Sequence, residues 1–527
     1  MAALQAAANQ TWGGVEVDHL RPPSTLRAFM SEFLRQLLGP DTKAPRWFVA
    51  VVVLILAAAG WWYVTSAIQH GNTVSARIDH QLRSERHAIF DGDEEAQKEA
   101  GRPMYSFDLN DQRVYMNYAK GMRESGFDSF TTRMRMPMYM WVLAFATDST
   151  PRELTPEALT QFYVDFFPVA RAFNIGLSLV ALVVLFFTLR GWLGNWLGLA
   201  FCLMAAFQLY ILKSPYVQPE ILLTTFITLG MVWAVKTLHQ PTWQNALVTG
   251  LLLCGWHLTK ANALVALGFM GMVMGLQLLT ARTWPKRKAI VIAGLVTLAA
   301  YVTPMSPYLY TSWKIFHDPF YNVQSKYYMW AEDVHEKHEI QKMGLDRDLS
   351  LVDKDGDGKI DRPEEMPTAG NYVKNHTREQ IKKRLYKGMS MMVANNFEEY
   401  TAIHWLHLLW AGILLWAMSR RWNEAVFGAW SWRWSILFVG LFLVTLFYLF
   451  AWFTPLKVGP RLLNSISLVP LFFCMSATAY LLKNDVMRMG RLTLSSTKVV
   501  TVVFLAFWLV LTALQVPHDL RNGYFAG

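Results

Sequence analysis

Long uninterrupted apolar runs constrain this chain most, because about 20 such residues in a helix cross the hydrocarbon of a bilayer. The first, WFVAVVVLILAAAGWWYVTSAI, covers residues 47–68. Others follow at 167–189, 194–212, 220–238, 243–258, 260–280, 288–306, 403–419, 434–453, 461–482 and 497–516. Within lipid, backbone N–H and C=O groups must find partners inside the chain, so runs of this kind fold as helices. The composition agrees: of 527 residues, 53% are hydrophobic and 17% charged, with 22 Trp and 32 Phe, against roughly a quarter charged in soluble domains. Disordered, fibrous and disulfide-stapled classes are excluded. The fold class expected is an all-α polytopic membrane protein with about 11 transmembrane helices.

Charge sets an expected orientation. The formal net charge is +10, and in a membrane protein such an excess concentrates in cytoplasmic turns. Arg190, Lys236, the cluster Arg282/Lys286/Arg287/Lys288, the group Arg420/Arg421/Arg433 and the group Lys483/Arg488/Arg491 all fall in the even-numbered turns, where acidic residues are sparse. That places the N-terminus in the cytoplasm and makes membrane lipids, not nucleic acid, the basic surface's partner. The first run begins only at Trp47, behind a polar stretch, and reads as a retained anchor. Residues 24–38 put Leu26, Phe29, Met30, Phe33, Leu34, Leu37 and Leu38 on one helical face, either an interfacial amphipathic helix or a solvated one capped by Ser24. Cys202, Cys254 and Cys474 all lie inside apolar runs and read as packing residues. No disulfide framework or CxxC metal site is present.

The expected organisation is a cytoplasmic segment 1–46 and a first span 47–68. Then come an extracytoplasmic loop 69–166, a transmembrane bundle 167–306, a second extracytoplasmic loop 307–402 and a C-terminal bundle 403–527. Long loops between spans are where function concentrates. In the first loop, FDLNDQRVYMNYAKGMRESGFDSF (107–130) has apolar spacing compatible with a helix starting near Asp111, which itself suits an N-cap. The next apolar stretch, 136–146, is too short to span and is expected to lie on the outer membrane face.

These segments resemble a known family. Asp111-Gln112-Arg113-Val114-Tyr115, followed by Arg135-Met136-Pro137-Met138-Tyr139, is similar to the Asp-Glu-x-x-Tyr and Arg-Pro-Pro-x-Tyr signatures of the polyprenyl-phosphate-sugar glycosyltransferases. These are GT-C class membrane enzymes related to protein O-mannosyltransferases and the aminoarabinose transferase of lipid A. Gln112 departs from the family by replacing its second carboxylate. The resemblance continues at Arg171 in 168–190, Glu220 in SPYVQPEILLTTF, Lys260 in LLLCGWHLTKANALVAL, and Arg461 in PLKVGPRLLNSISLVPLF, where Leu462 stands in place of the usual Tyr. It implies a GT-C-like bundle that moves a monosaccharide from a polyprenyl-phosphate donor to a lipid, glycan or protein hydroxyl on the extracytoplasmic face.

The residue chemistry fits that expectation. Lys213, Lys260, Lys457 and Arg461 sit at the outer ends of spans, where the orientation rule does not place cations; they can hold a phosphate or snorkel to headgroups. In an inverting single displacement, a carboxylate accepts the acceptor's proton while a cation stabilises the leaving phosphate. Asp111 is the candidate base, Asp108 its rival, and Glu220 a second acid that orients acceptor or sugar. Arg135, Tyr115 and Tyr139 are candidate substrate-binding residues. Need for a catalytic divalent metal is left open by Gln112.

The second outer loop carries the sharpest motif. Residues 353–364, DKDGDGKIDRPE, match an EF-hand-type calcium loop at all twelve positions. Asp353, Asp355 and Asp357 would supply side-chain oxygens, Lys359 its carbonyl, Asp361 a direct or water-mediated oxygen and Glu364 a bidentate carboxylate. A single loop of this kind suggests a structural calcium clip. Nearby, His335, Glu336, His338 and Glu339 read as a solvated charged face rather than a metal pair. Tyr327, Tyr328 and Trp330 suit either sugar stacking or interfacial anchoring. A bacterial inner membrane is the expected location. Competing readings are a transporter or flippase of a lipid-linked or small polar substrate, which predicts mid-span ionisable residues in two matching halves, and a non-catalytic scaffold.

Overall fold

The structure, a computed structural model, describes residues 46–90, 106–127, 133–150, 155–345, 366–399, 401–456, 461–489 and 492–522. The calcium-type loop 353–364, the stretch 24–38 and Lys457 lie outside the described residues. The chain is helical along almost all of its described length. Helix α1 (Arg46–Phe90) is followed by α2 (Ser106–Glu124), α3 (Pro137–Ala144) and α4 (Pro156–Ala205). A π-helix (Ala206–Tyr210) and a helical turn (Ile211–Lys213) continue α4. Then come α5 (Glu220–His239), α6 (Trp243–Thr259), α7 (Ala263–Thr280) and α8 (Trp284–Phe316). The segment between α8 and the C-terminal helices holds α9 (Val334–Lys342), α10 (Ala369–Asn375) and α11 (Arg378–Glu399). The chain ends with α12 (Thr401–Arg420), α13 (Trp422–Ser431), α14 (Arg433–Phe453), α15 (Arg461–Ile466), α16 (Leu468–Leu482), an antiparallel hairpin of β1 (Val486–Met489) and β2 (Leu492–Ser495), and α17 (Ser496–Asn522).

The protein is an integral membrane protein. Among the described residues, eight helical stretches are long and apolar enough to cross a bilayer: 47–72, 161–213, 220–239, 263–280, 284–316, 433–456, 463–482 and 496–514. Every apolar run read from the sequence falls on helix, but the eight do not correspond to the expected eleven one for one. Residues 161–213 form one stretch that contains two of the expected runs and is broken at Gly194, with φ 74° and ψ 173°. That backbone region is essentially reserved for glycine. Helices α6, with 17 residues, and α12 are outside the eight. The expected run 461–482 is interrupted at Ser467, between α15 and α16.

Two features lengthen the elements beyond the sequence reading. Helix α1 does not stop at residue 68 but runs on to Phe90. Helix α2 begins at Ser106, so Asp111 lies within it rather than at its N-cap.

The bundle has two apolar cores. One centres on α1, α4, α12, α16 and α17, the other on α5, α6, α7, α8 and α14. Small residues permit the closest helix contacts in the absence of a strong hydrophobic drive within lipid. A Cβ at Gly250 of α6 would lie 2.4 Å from the Thr297 carbonyl oxygen of α8, so only glycine allows that approach. At one end of the bundle Asp485 joins three elements: Ser496 donates to it at 2.5 Å, and Arg420 and Arg421 pair with it at 3.1 and 3.3 Å. Burial pushes its carboxyl up, but those three donors outweigh burial and hold it below its ordinary value.

Candidate functional site

At the other end of the bundle a smaller core forms around α2. Its apolar face, with Tyr115, Met116, Ala119 and Met122 buried, follows helical spacing and packs on α3, the start of α4 and the turn at Tyr216–Val217. Lys120 on the same helix is buried and paired with Asp148, and that bond keeps the Asp148 carboxyl below its usual range. Pro137 at the first turn of α3, where the missing N–H costs no hydrogen bond, sets where that helix starts. The exposed Trp141 and Phe145 at its far side fit a helix lying along the membrane surface.

Within this end, the structure unites the two signature segments. Arg135 forms an ion pair with Asp111, both side chains being largely buried, at 16% and 14% exposure. The Arg135 guanidinium also lies 5.5 Å over the Tyr115 ring, and Tyr115 meets Tyr139 edge-to-face at 5.3 Å. Tyr139 is fully enclosed and donates its hydroxyl to Asn174 Oδ1 at 3.0 Å. Burial holds its phenol well above the ordinary range, and the nearby Glu220 charge adds to that shift, so Tyr139 acts as a proton donor in hydrogen bonds. Asn174 in turn donates to the Tyr216 carbonyl oxygen. Four segments distant in sequence are thereby fixed around one point.

Glu220 opens α5 in this neighbourhood. Pro219 precedes it, and a carboxylate in the first turn is favoured by the positive end of the helix. The residue is 8% exposed, and its buried Oε2 has no hydrogen-bond partner among the described residues. An unmatched buried carboxylate oxygen is costly, so it marks a position suited to a hydroxyl donor. Lys213 is buried just after the π-helix; such single-turn π elements often accompany functional sites. Lys260 caps α6 half-buried, and α6 packs on α3. Arg461 starts α15, which packs on α5; its side chain and that of Asp108 lie outside the described residues.

The structure gives several of the other singled-out residues definite contacts or exposure. The buried amide oxygen of Gln112 accepts the Val217 backbone N–H at 2.8 Å and locks α2 to the turn before Glu220. Tyr327 and Tyr328 are buried in a small core with Phe316, Tyr321 and Ile340, so packing accounts for them rather than sugar stacking or anchoring. His335 and His338 are exposed on α9, whose N-cap is Asp333. Among the described residues no cluster of three metal-ligating side chains exists. Arg171 binds the Gly71 carbonyl and Asn72, tying α4 to α1.

Asn174 and Arg133 went unread in the sequence. Asn174 left one signal, an amide inside an apolar run that needs a partner in lipid. Arg133 is 1% exposed and donates to Ser312 Oγ, Thr311 Oγ1 and the Tyr308 carbonyl at 3.2, 2.8 and 3.4 Å. Its guanidinium sits 4.2 Å over the Tyr308 ring. Burial pulls it down from its ordinary value. Its carbonyl accepts from Val323 and that of Met134 from Gln324, so the segment before α3 and the segment after α8 pack on each other. In the comparisons with known proteins, no family model matches the chain, and no curated protein or solved structure matches it.

Proposed function

We propose that this protein is a membrane glycosyltransferase of the GT-C type, using a polyprenyl-phosphate sugar on the extracytoplasmic face of a bacterial inner membrane. The observation that carries the reading is the meeting of Asp111, Arg135, Tyr115, Tyr139 and Glu220 at one end of the bundle. In this reading eleven helical passes place that end outside, with Gly194 separating two of them and α6 and α12 supplying two more. The acceptor hydroxyl attacks the anomeric carbon as Asp111 takes its proton, and the carbon–phosphate-oxygen bond breaks. The phosphate leaves as an anion and needs no proton. Lys260, Lys213 and Arg461 are the cations suited to stabilise it. Arg135 holds Asp111 in place, and Glu220 Oε2 orients the acceptor. Calcium, held by Asp353, Asp355, Asp357, Lys359, Asp361 and Glu364, orders the second outer segment.

The test is transfer by purified protein reconstituted in vesicles with a panel of polyprenyl-phosphate sugars, with mass spectrometry of the products. Asp111→Asn is expected to lower kcat about 10²–10⁴-fold, the span of general-base catalysis. Glu220→Gln is expected to act mainly on the acceptor KM. Full activity in both variants, each folded by its thermal transition, would refute the assignment.

A further inference from the structure

Far from Asp111, the opposite end of the bundle contains a cavity of about 160 Å³ between the ends of α5 and α7 and the starts of α8 and α14. Helix α5 links the two regions: Glu220 begins it and His239 ends it. Twenty residues at 1.5 Å each separate them by about 30 Å, the thickness of a bilayer core. The cavity is thus at the other membrane face.

Its lining combines cations with aromatic rings. Lys286 and Arg433 contribute charge, and His239 stacks on Trp432 with centroids 3.8 Å apart and planes 10° from parallel. Arg433 is oriented by a 2.9 Å bond to the Trp430 carbonyl and lies over the Trp430 and Trp434 rings at 4.7 and 5.3 Å. Gln277 is fixed from below by its 2.8 Å bond to the Leu238 carbonyl. Among the described residues neither Asp nor Glu lines the cavity. Trp243, Trp284, Trp422 and Trp430 are exposed at the same end, where indole rings mark the headgroup plane. Helix α8 carries Lys286 and continues with Val291, Ile292 and Leu295 exposed, a surface on which acyl chains can lie.

We infer that this cavity binds the phosphate of an anionic phospholipid from the leaflet opposite the Asp111 site. A basic pocket between membrane helices, with no acidic lining among the described residues and set at headgroup depth, selects a net-anionic headgroup over a zwitterionic one, whose phosphate is offset by its own cation. The inference does not depend on the transferase reading, since it uses no residue of that site.

Delipidated full-length protein would be examined by native mass spectrometry with phosphatidylglycerol, phosphatidylcholine or inorganic phosphate. Phosphatidylglycerol should be retained and phosphatidylcholine should not. Lys286→Gln with Arg433→Gln should weaken retention about thirtyfold, from about five- to sixfold per cation. Arg282→Gln, exposed in the same turn but outside the cavity, should leave it unchanged. Hydrogen exchange on the unmodified protein gives a readout that survives misfolding of a variant: phosphatidylglycerol should slow exchange at 281–290 and 431–435. Equal retention by the double variant, absent protection at those residues, or equal protection by inorganic phosphate would overturn the inference.

Discussion

Arg133 shows how much of the packing at the Asp111 end rests on one side chain. Among the described residues it makes three hydrogen bonds and lies over the Tyr308 and Phe316 rings, all of them in α8, while its own carbonyl accepts from Val323 in the segment after α8. Removing a buried, multiply bonded guanidinium leaves Ser312 and the Tyr308 carbonyl without these donors. Arg133→Ala is expected to destabilise the protein by about 2–3 kcal/mol, the scale of losing hydrogen bonds from a charged donor, read as a lower thermal transition in detergent. Arg133→Lys should recover little, because an ammonium lacks the planar fork that serves three acceptors. An unchanged transition in both would contradict this account. The residue was invisible as sequence, since one Arg among Thr-Thr-Arg-Met-Arg carries no periodicity. Asp111, Arg135 and Tyr139 were legible because their types and spacing form a pattern. Gln112 was legible only as a departure from that pattern, because a hydrogen bond to Val217 more than a hundred residues away leaves no local mark.

At the scale of elements, apolar runs were readable because lipid forces them to be helices, whereas their ends were not. Where polar residues follow an apolar run, nothing local tells a helix to stop, and α1 accordingly continues to Phe90. The turn at Gly194 was readable only as a gap between two runs; its backbone angles are what interrupt the helix. The calcium-type segment adds a case where structure on either side bears on the motif. Leu345 and Met366 are both buried in the small core around Tyr321, and the Tyr321 hydroxyl donates to the Leu345 carbonyl at 2.8 Å. Both flanks of 346–365 are therefore pinned to one core. Calcium that closes the loop should add its binding free energy to that core's stability, in proportion to the logarithm of its concentration. Adding calcium is expected to raise the thermal transition and slow proteolysis within 346–365. Glu364→Gln, which removes the bidentate ligand, should abolish both effects. Calcium-independent transitions in the unmodified protein would sink the motif assignment.

Across the whole molecule, two chemically unlike ends face away from each other along α5. One gathers Asp111, Arg135, Tyr139 and Glu220; the other gathers Lys236, Lys286, Arg420, Arg421 and Arg433 with exposed tryptophans. Lys and Arg turns are ordinarily retained on the cytoplasmic side, so on the proposed reading this division would point the acidic end outward. The sequence carried that signal through the positions of its basic residues, but only if every intervening run crosses, and the 17 residues of α6 rise only about 25 Å. Sidedness can be read with single cysteines, since the native Cys202 and Cys254 are buried and Cys474 half-buried. Ser149, exposed just after α3, and Gln240 and Ser431, exposed at the opposite end, are suitable positions. Ser149→Cys is expected to react with a membrane-impermeant maleimide in intact cells. Gln240→Cys and Ser431→Cys should react only after permeabilisation. The reverse pattern would put the carboxylates on the cytoplasmic face, where lipid-linked sugars are not the expected donors. Labelling of Ser149→Cys and Gln240→Cys from the same side would mean that α5 does not cross, and the separation between the two sites would then have to be read without a bilayer.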